Sequence, residues 1–325
     1  MLRLKIPLIC FFFNMISIPV FCQAPNYFWL SGQPPEQFQS KLKIIGMQNY
    51  YGIPGRPGKE KFALWLCYGN SPENKQYLDT TLTSGTCVIT GNSNNDMMNY
   101  SLEKGRLGFA LIYDFGKEGY NNIFIIDSFV HDHILHVSVA KAERISHKCM
   151  NGHKKIKQLV RLKEYADIPF QIYRKRNPKG ENLHILLQSG QIVTFIVKQQ
   201  DKKSQNTSIR FISHKGWQKT ETTNNEGEAT FQIPQDYFSN LTELNQEKMS
   251  WFVVVASKKF DSSGSYQNKQ FDKVFMETTY SGEYIPSEML YKSKLLAFTT
   301  ITLGILLVII LVYFYRKNRP KYILN

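Results

Sequence analysis

The sequence predicts an all-β ectodomain that is attached to a membrane by one C-terminal transmembrane helix. Three observations support this fold class: an apolar N-terminal segment, short β-rich runs through the middle, and one uncharged apolar run near the end. The exported part is long enough for two ordinary domains. We therefore predict two immunoglobulin-like β-sandwich domains followed by the helix.

The N-terminal segment has the order of a secretory signal. Arg3 and Lys5 form a basic start, and an apolar run follows from Ile6 to Phe21. A cleavage site fits near Cys22–Gln23–Ala24. Residues 1–23 are therefore predicted to be a signal peptide.

The run from Leu295 to Tyr315 carries no charge and is long enough to cross a bilayer. Four basic residues follow at once in the tail, 316–325, and cytoplasmic flanks of membrane helices are enriched in such residues. We therefore expect a single-pass protein whose N-terminus is extracytoplasmic, in the periplasm or at the cell exterior. Its basic tail is expected in the cytoplasm. The four residues are Arg316, Lys317, Arg319 and Lys321.

Between these ends, runs rich in β-branched and aromatic residues alternate with Gly, Asn, Asp and Pro clusters, which is typical of short strands. The predicted strands are Lys41–Ile45, Phe62–Tyr68, Thr86–Thr90, Gly108–Tyr113, Asn122–Asp127, Ile134–Ala140, Phe170–Arg174, Ile192–Gln199, Ser208–His214, Gln218–Thr223, Glu228–Ile233, Trp251–Lys258 and Phe275–Thr279.

A domain boundary is predicted between about residues 160 and 190, where the chain becomes polar, basic and rich in turn residues, as in Arg174–Gly180. The first sandwich is assigned to 24–165 and the second to 166–280. A stalk at 281–294 is expected to lead to the transmembrane helix at 295–315.

Charge and cysteine content restrict the partners. The net charge of +14 fits an acidic partner or anionic lipid, or a basic surface with no such role. Export argues against nucleic acid as a partner.

Export also permits disulfides, and Cys67 and Cys87 on neighbouring predicted strands are the favoured pair, which leaves Cys149 over.

The histidines suggest a metal site, because five of the seven lie between 131 and 153. In a strand His131 and His133 would share one face, since residues i and i+2 point the same way. Imidazole suits zinc, copper and nickel, and the resemblance described below adds cobalt as a candidate. The alternative is that these are polar residues of a strand and a basic loop. The candidate ligands are His131, His133 and His136, together with His147, Cys149 and His153 from the next loop. In a continuous strand His136 would face the opposite way from His131 and His133, unless a turn intervenes.

Several segments carry a family resemblance. Leu186–Val197, Thr222–Phe238 and Trp251–Ala256, with Tyr27–Leu30 at the mature start, resemble a bacterial exported family. Some members of that family are described as periplasmic components of nickel or cobalt uptake. The resemblance covers about residues 166–315 and implies a similar accessory role here.

No motif of catalytic grade is present in the sequence, so we expect a protein that is not an enzyme. The leading expectation is a membrane-anchored extracytoplasmic binding or accessory protein, linked to nickel or cobalt uptake. Its partners would be the membrane and a membrane transporter or other envelope protein. One alternative is a structural or adhesive surface protein without metal. Another is a metal-dependent hydrolase, which would need a carboxylate base beside the metal.

Overall fold

The computed structural model describes residues 26–33, 61–78, 86–90, 97–100, 110–114, 119–146, 165, 167–176, 187–235 and 250–318. This part of the chain is mostly β-sheet, with one long apolar helix at its C-terminal end. The all-β prediction with a C-terminal helix is confirmed at this level.

The strands are β1 (Tyr27–Ser31), β2 (Lys61–Gly69), β3 (Lys75–Tyr77), β4 (Thr86–Thr90), β5 (Met97–Tyr100), β6 (Ala110–Asp114), β7 (Gly119–His131), β8 (Ile134–Ser146), β9 (Phe170–Arg174), β10 (Leu187–Gln188), β11 (Ile192–Gln199), β12 (Lys202–Lys203), β13 (Ser208–Ser213), β14 (Gln218–Thr222), β15 (Glu228–Gln232), β16 (Ser250–Tyr266) and β17 (Lys269–Ile285). The helix, α1, covers Glu288–Lys317.

Three predicted strands, β4, β9 and β11, have the predicted bounds, because turn residues delimit them on both sides. The strands β7, β16 and β17 are much longer than predicted. The outer halves of β16 and β17 are polar and exposed, so the hydrophobic pattern fades before the hydrogen bonding ends. The predicted strand at Lys41–Ile45 lies outside the described residues.

A nine-stranded central sheet organises the molecule. Its order is β14-β13-β16-β17-β8-β7-β4-β5, and β10 also pairs with β17. The strands β8 and β17 lie parallel, with Ile134 opposite Lys273 and Ala142 opposite Ser281. The central sheet therefore runs without interruption through strands from both predicted domains.

Two four-stranded sheets pack against the central sheet. The C-terminal sheet comprises β9, β11, β12 and β15, and the N-terminal sheet comprises β1, β2, β3 and β6. The C-terminal sheet covers one face, where Phe195 and Phe231 meet Phe211, Phe252 and Tyr280. The rings of Phe211 and Phe252 stack with centroids 4.9 Å apart. Burial of these large aromatic side chains makes this the main core of the molecule.

The N-terminal sheet packs on the opposite face of the central sheet, with apolar side chains on both of its own faces. Leu30 packs with Ala140 of β8, whereas Trp29 packs with Val253 and Val255 of β16. These contacts explain why β1 is apolar at successive positions rather than at alternate ones.

The edge of β1 that is not paired with β2 lies over β17. Thr279 donates a hydrogen bond from Oγ1 to the carbonyl oxygen of Phe28 at 2.8 Å. Ser281 donates another to the carbonyl oxygen of Leu30. Two hydroxyl groups thus satisfy a buried sheet edge, which would otherwise leave unpaired carbonyl groups.

Cys67 has a free, buried thiol, so the predicted Cys67–Cys87 disulfide is wrong. The Cys67 side chain packs in the core that contains Trp29 and Val253. Cys87 is on β4, which pairs with β7 in the central sheet. Burial raises the pKa of the Cys67 thiol to about 12, so it is an unreactive core residue.

The connection between sheet and helix is short. Strand β17 ends at Ile285 and α1 begins at Glu288, so the predicted stalk of 281–294 is divided between a strand and a helix. The backbone N–H of Ser287 donates to Ser189 Oγ at 2.9 Å, which fixes the connection to the β10–β11 turn. The stretch Leu295–Lys317 is long and apolar enough to cross a membrane.

We predict that Gly282→Ala lowers the free energy of unfolding by about 1–3 kcal/mol, the usual range for overpacking. A methyl group at this position of β17 would overlap the Phe252 ring. Denaturant unfolding of the purified protein measures the change. As a control, Phe252→Leu should recover part of the loss when combined with Gly282→Ala. Strictly additive effects of the two changes would contradict this explanation.

Candidate functional site

The β7–β8 connection is a two-residue turn that contains the histidine motif. Asp132 and His133 have φ values of 48° and 58°, and His131 is the last residue of β7, opposite Ile134. Positive φ at both positions is typical of a type I′ turn, in which Asp is well tolerated. The prediction that His131 and His133 share a strand face is therefore wrong.

Because of this turn, His131 shares its strand face with His136 and not with His133. His131 and His136 lie on the same face, because His136 pairs with Phe129, which is two residues before His131 on β7. The expectation for His136 allowed for this case, since His136 was to face the other way only if no turn intervened. His131 Nδ1 is 3.2 Å from Asp132 Oδ2, and both side chains are exposed.

His136 is part of an aromatic row across three strands. Its ring stacks on Phe129 at 5.0 Å and contacts Phe275 at 5.7 Å. Burial lowers the pKa of His136, and the nearby His131 and Lys259 lower it further. His136 is thus neutral at physiological pH and serves as a half-buried aromatic residue here.

The metal prediction is not tested by this geometry. Within the described ranges, no three His, Cys, Asp or Glu side chains are grouped so that they could hold a metal ion. The other candidate ligands, His147, Cys149 and His153, lie outside the described residues. The six-residue metal site thus stays a prediction.

The β7–β8 turn and the β16–β17 turn both lie beside the first residues of β17, whereas the helix follows the last residue of β17. Strand β17 starts at Lys269 beside the β16–β17 turn and reaches Ile285 next to α1. At about 3.3 Å per residue, its 17 residues span roughly 55 Å. We call the two turns, His131–Ile134 and Tyr266–Lys269, the distal tips.

A row of polar residues lies next to the aromatic row, on the same face of the central sheet and two residues closer to the helix along β17. The sequence did not predict this row. Glu277 of β17 is flanked by Ser257 of β16 and Ser138 of β8, and Asp127 of β7 follows. Burial raises the pKa of Glu277 to about 7. The only sequence signal was a carboxylate inside an otherwise β-rich run.

A second missed feature is a buried cluster of charges between β8 and β9. Lys141 is fully buried, and its Nζ lies 3.1 Å from Glu143 Oε1 and donates to the carbonyl oxygen of Ile172 at 2.8 Å. Arg176 Nη2 lies 2.5 Å from Glu143 Oε2, and the Tyr280 hydroxyl donates to the same oxygen at 3.2 Å.

Three aromatic rings lie close to the ammonium group of Lys141 in this cluster. Lys141 Nζ lies 4.1 Å from the ring centroid of Tyr173, and the rings of Phe124 and Tyr280 are within 6 Å. Burial by itself would raise the pKa of Glu143, but Lys141 and Arg176 outweigh it and lower the pKa to about 2. This cluster joins the two predicted domains.

No protein-family model matches this sequence, and no curated protein is similar to it. The resemblance to the exported nickel and cobalt family is therefore a prediction from the quoted segments.

Proposed function

We propose that this protein is a membrane-anchored extracytoplasmic binding protein, without enzymatic activity, that contacts an envelope protein through its distal tips. The observation that carries the proposal is the continuity of β17, which runs from a distal tip to the membrane helix. Only Pro286 and Ser287 separate strand from helix. Such a short, hydrogen-bonded connection holds the tips at a fixed height above the bilayer.

Pairing of the C-terminal strands supports the finer fold assignment, an immunoglobulin-like second sandwich. Strands β9, β11 and β15 form one layer, and β14, β13, β16 and β17 form the other. The short β10 lies parallel to β17 and extends the second layer beside Tyr284 and Ile285. The N-terminal sheet, facing β7 and β8, would then be half of the first sandwich.

The proposed binding role can be tested in intact cells with a photoreactive amino acid at Asp132 or Asn268, one in each distal tip. We expect a single adduct of the same mass from both positions. The control position is Asn224, which lies in the β14–β15 turn of the second predicted domain. Adducts from Asn224 alone, or from none of the three, would contradict binding through the tips.

We predict the topology with single cysteines in a Cys87→Ser, Cys149→Ser background, in which the buried Cys67 is left in place. A membrane-impermeant maleimide should label His131→Cys in intact cells and should not label Asn318→Cys until the membrane is opened. The reason is that basic residues follow the membrane span and favour a cytoplasmic tail. The reverse pattern would show that the tips are cytoplasmic.

The link to transition-metal uptake has support only from the resemblance. The metal content of the purified protein tests it, with the His131→Ala, His133→Ala double variant as the comparison. We expect bound nickel, cobalt, copper or zinc to be lost in the variant. A metal-free parent protein would favour the structural or adhesive alternative.

A further inference from the structure

The end of the second predicted sandwich that lies next to α1 is built from short, hydrogen-bonded turns. Ser189 of the β10–β11 turn donates its backbone N–H to the carbonyl oxygen of Ile285 at 2.9 Å, and its hydroxyl accepts from the backbone N–H of Ser287. Gly190 of the same turn donates to the carbonyl oxygen of Ile233 at 2.8 Å. These bonds join three segments into one surface, which we call the helix-side end. It comprises residues 188–192, 232–235 and 285–287.

The helix-side end exposes one large apolar side chain in uncharged surroundings. Ile192, the first residue of β11, is 69% exposed, whereas Trp217 has the next highest value outside α1 among the described residues, 43%. The other exposed positions are three glutamines, Gln191, Gln232 and Gln235. None of the residues of the helix-side end is charged. A single exposed isoleucine is normal on a protein surface, so its significance depends on where it lies relative to the membrane.

The connection to α1 sets the height of this end above the bilayer. The helix begins at Glu288, and its membrane-spanning stretch begins at Leu295. The residues between these positions rise about 10 Å along the helix. The headgroup region of one leaflet is roughly 5–8 Å thick, and the usual helix tilt of about 20° lowers the end only slightly. The helix-side end therefore lies within a few ångströms of the headgroups when α1 crosses the membrane.

The helix does not fold back on the sheets, since the stretch Leu295–Lys317 is 0% buried. The opposite end of β11 has a different surface. There Asp201, Lys202 and Lys203 are all exposed, as is usual for a turn in water. Polarity therefore changes along this one strand, from uncharged beside α1 to charged at the far end.

We propose that the helix-side end rests on the lipid headgroups of the membrane that α1 spans, with Ile192 inserted among them as an anchor. The helix holds this end at the bilayer surface at a high effective concentration, so one apolar side chain is enough to maintain the contact. This second contact, beside α1 itself, restricts the tilt of β17 above the membrane. The proposal rests on the membrane span and is independent of the partner that the distal tips bind.

The test uses the purified full-length protein in phosphatidylcholine nanodiscs that hold one copy each and contain a lipid with a spin label on its headgroup. A fluorophore is attached to Gln235→Cys or to Asp201→Cys in the Cys87→Ser, Cys149→Ser background. Gln235 lies in the helix-side end, with its side-chain amide beside Gly190. We expect the label at position 235 to be quenched several-fold more than the label at position 201.

Variants of Ile192 then test the anchor itself. Ile192→Ser should lower the quenching at position 235 to the level at position 201, whereas Ile192→Trp should retain it, because tryptophan is favoured at the membrane interface. The matched control is Ile196→Ser, on the same face of β11 but one further turn of the pleat pattern from α1. It should leave the quenching unchanged.

Equal quenching at positions 235 and 201 would overturn the proposal, and so would quenching at position 235 that survives Ile192→Ser. Because each nanodisc contains no other protein, the quenching reports contact with lipid and not with a partner. Ile192→Ser should unfold at the temperature of the parent protein, since the side chain is exposed. A large drop in that temperature would assign Ile192 to the stability of the sandwich and would overturn its role as an anchor.

Discussion

Replacing Glu143 by alanine is expected to lower the free energy of unfolding by about 3–5 kcal/mol, because it leaves two buried cations without their counter-ion. Lys141 stays fully buried and Arg176 nearly so, without the carboxylate that both contact. The change also removes the acceptor of the Tyr280 hydroxyl. Denaturant unfolding followed by tryptophan fluorescence measures the loss, since Trp29 and Trp65 are buried where the N-terminal sheet packs on β16 of the central sheet.

The matched control is Glu73→Ala, which removes an exposed ion pair with Lys215 and should barely change stability. If Glu143→Ala fails to fold, the combined change of Lys141, Glu143 and Arg176 to Met, Leu and Met should still fold, since apolar replacements of a buried cluster are tolerated. A loss below about 1 kcal/mol for Glu143→Ala would contradict a buried, coupled cluster.

The same cluster predicts a dependence on pH. Because the folded-state pKa of Glu143 is depressed to about 2, its contribution is complete above the ordinary carboxyl pKa near 4.5. The contribution is lost as the pH falls through the range between these values. Glu143→Gln should remove this part of the acid sensitivity, and an unchanged acid transition would show that other carboxyl groups control it.

The second large effect is expected from the double variant Thr279→Val, Ser281→Ala, which should lose about 2–4 kcal/mol. Each substitution leaves a buried carbonyl of β1 without its donor, and an unsatisfied buried acceptor costs about 1–3 kcal/mol. The two acceptors are the carbonyl groups of Phe28 and Leu30. Urea unfolding of the purified protein measures the loss.

The control for this variant is Thr230→Val, at the exposed hydroxyl pair that Thr230 forms with Thr194 at 2.9 Å. It should have little effect, because water replaces the lost hydrogen bond. Equal losses in the control and in the double variant would mean that general strand propensity, and not the β1 edge, determines the result.

The bounds of a strand or helix could be predicted from the sequence where the hydrophobic pattern of the segment matches the structure that it adopts. Residues Ile192–Gln199 have apolar residues at alternate positions inside and turn residues outside, so their bounds came from sequence alone. The helix followed from an uncharged apolar run. By contrast, the outer halves of β16 and β17 are polar, and only their mutual pairing keeps them extended.

The candidate site was predicted less well. The histidines at 131 and 133 were noticed, but alternation within a strand does not apply across a turn with positive φ. Lys141 and Glu143 look like ordinary solvent-facing residues of a strand, since i and i+2 share a face in either setting. Their burial depends on β9, which comes from a distant part of the chain.

The sequence by itself determined that this is a β-rich chain with one C-terminal membrane-spanning candidate, because hydrophobic periodicity and run length are local properties. Tertiary structure alone decided that β8 lies parallel to β17, which makes one sheet of two predicted domains. It also decided that Cys67 stays free and that Glu277 lies next to the start of β1. The physical reason is that each of these depends on contacts between residues far apart in sequence, which no local pattern encodes.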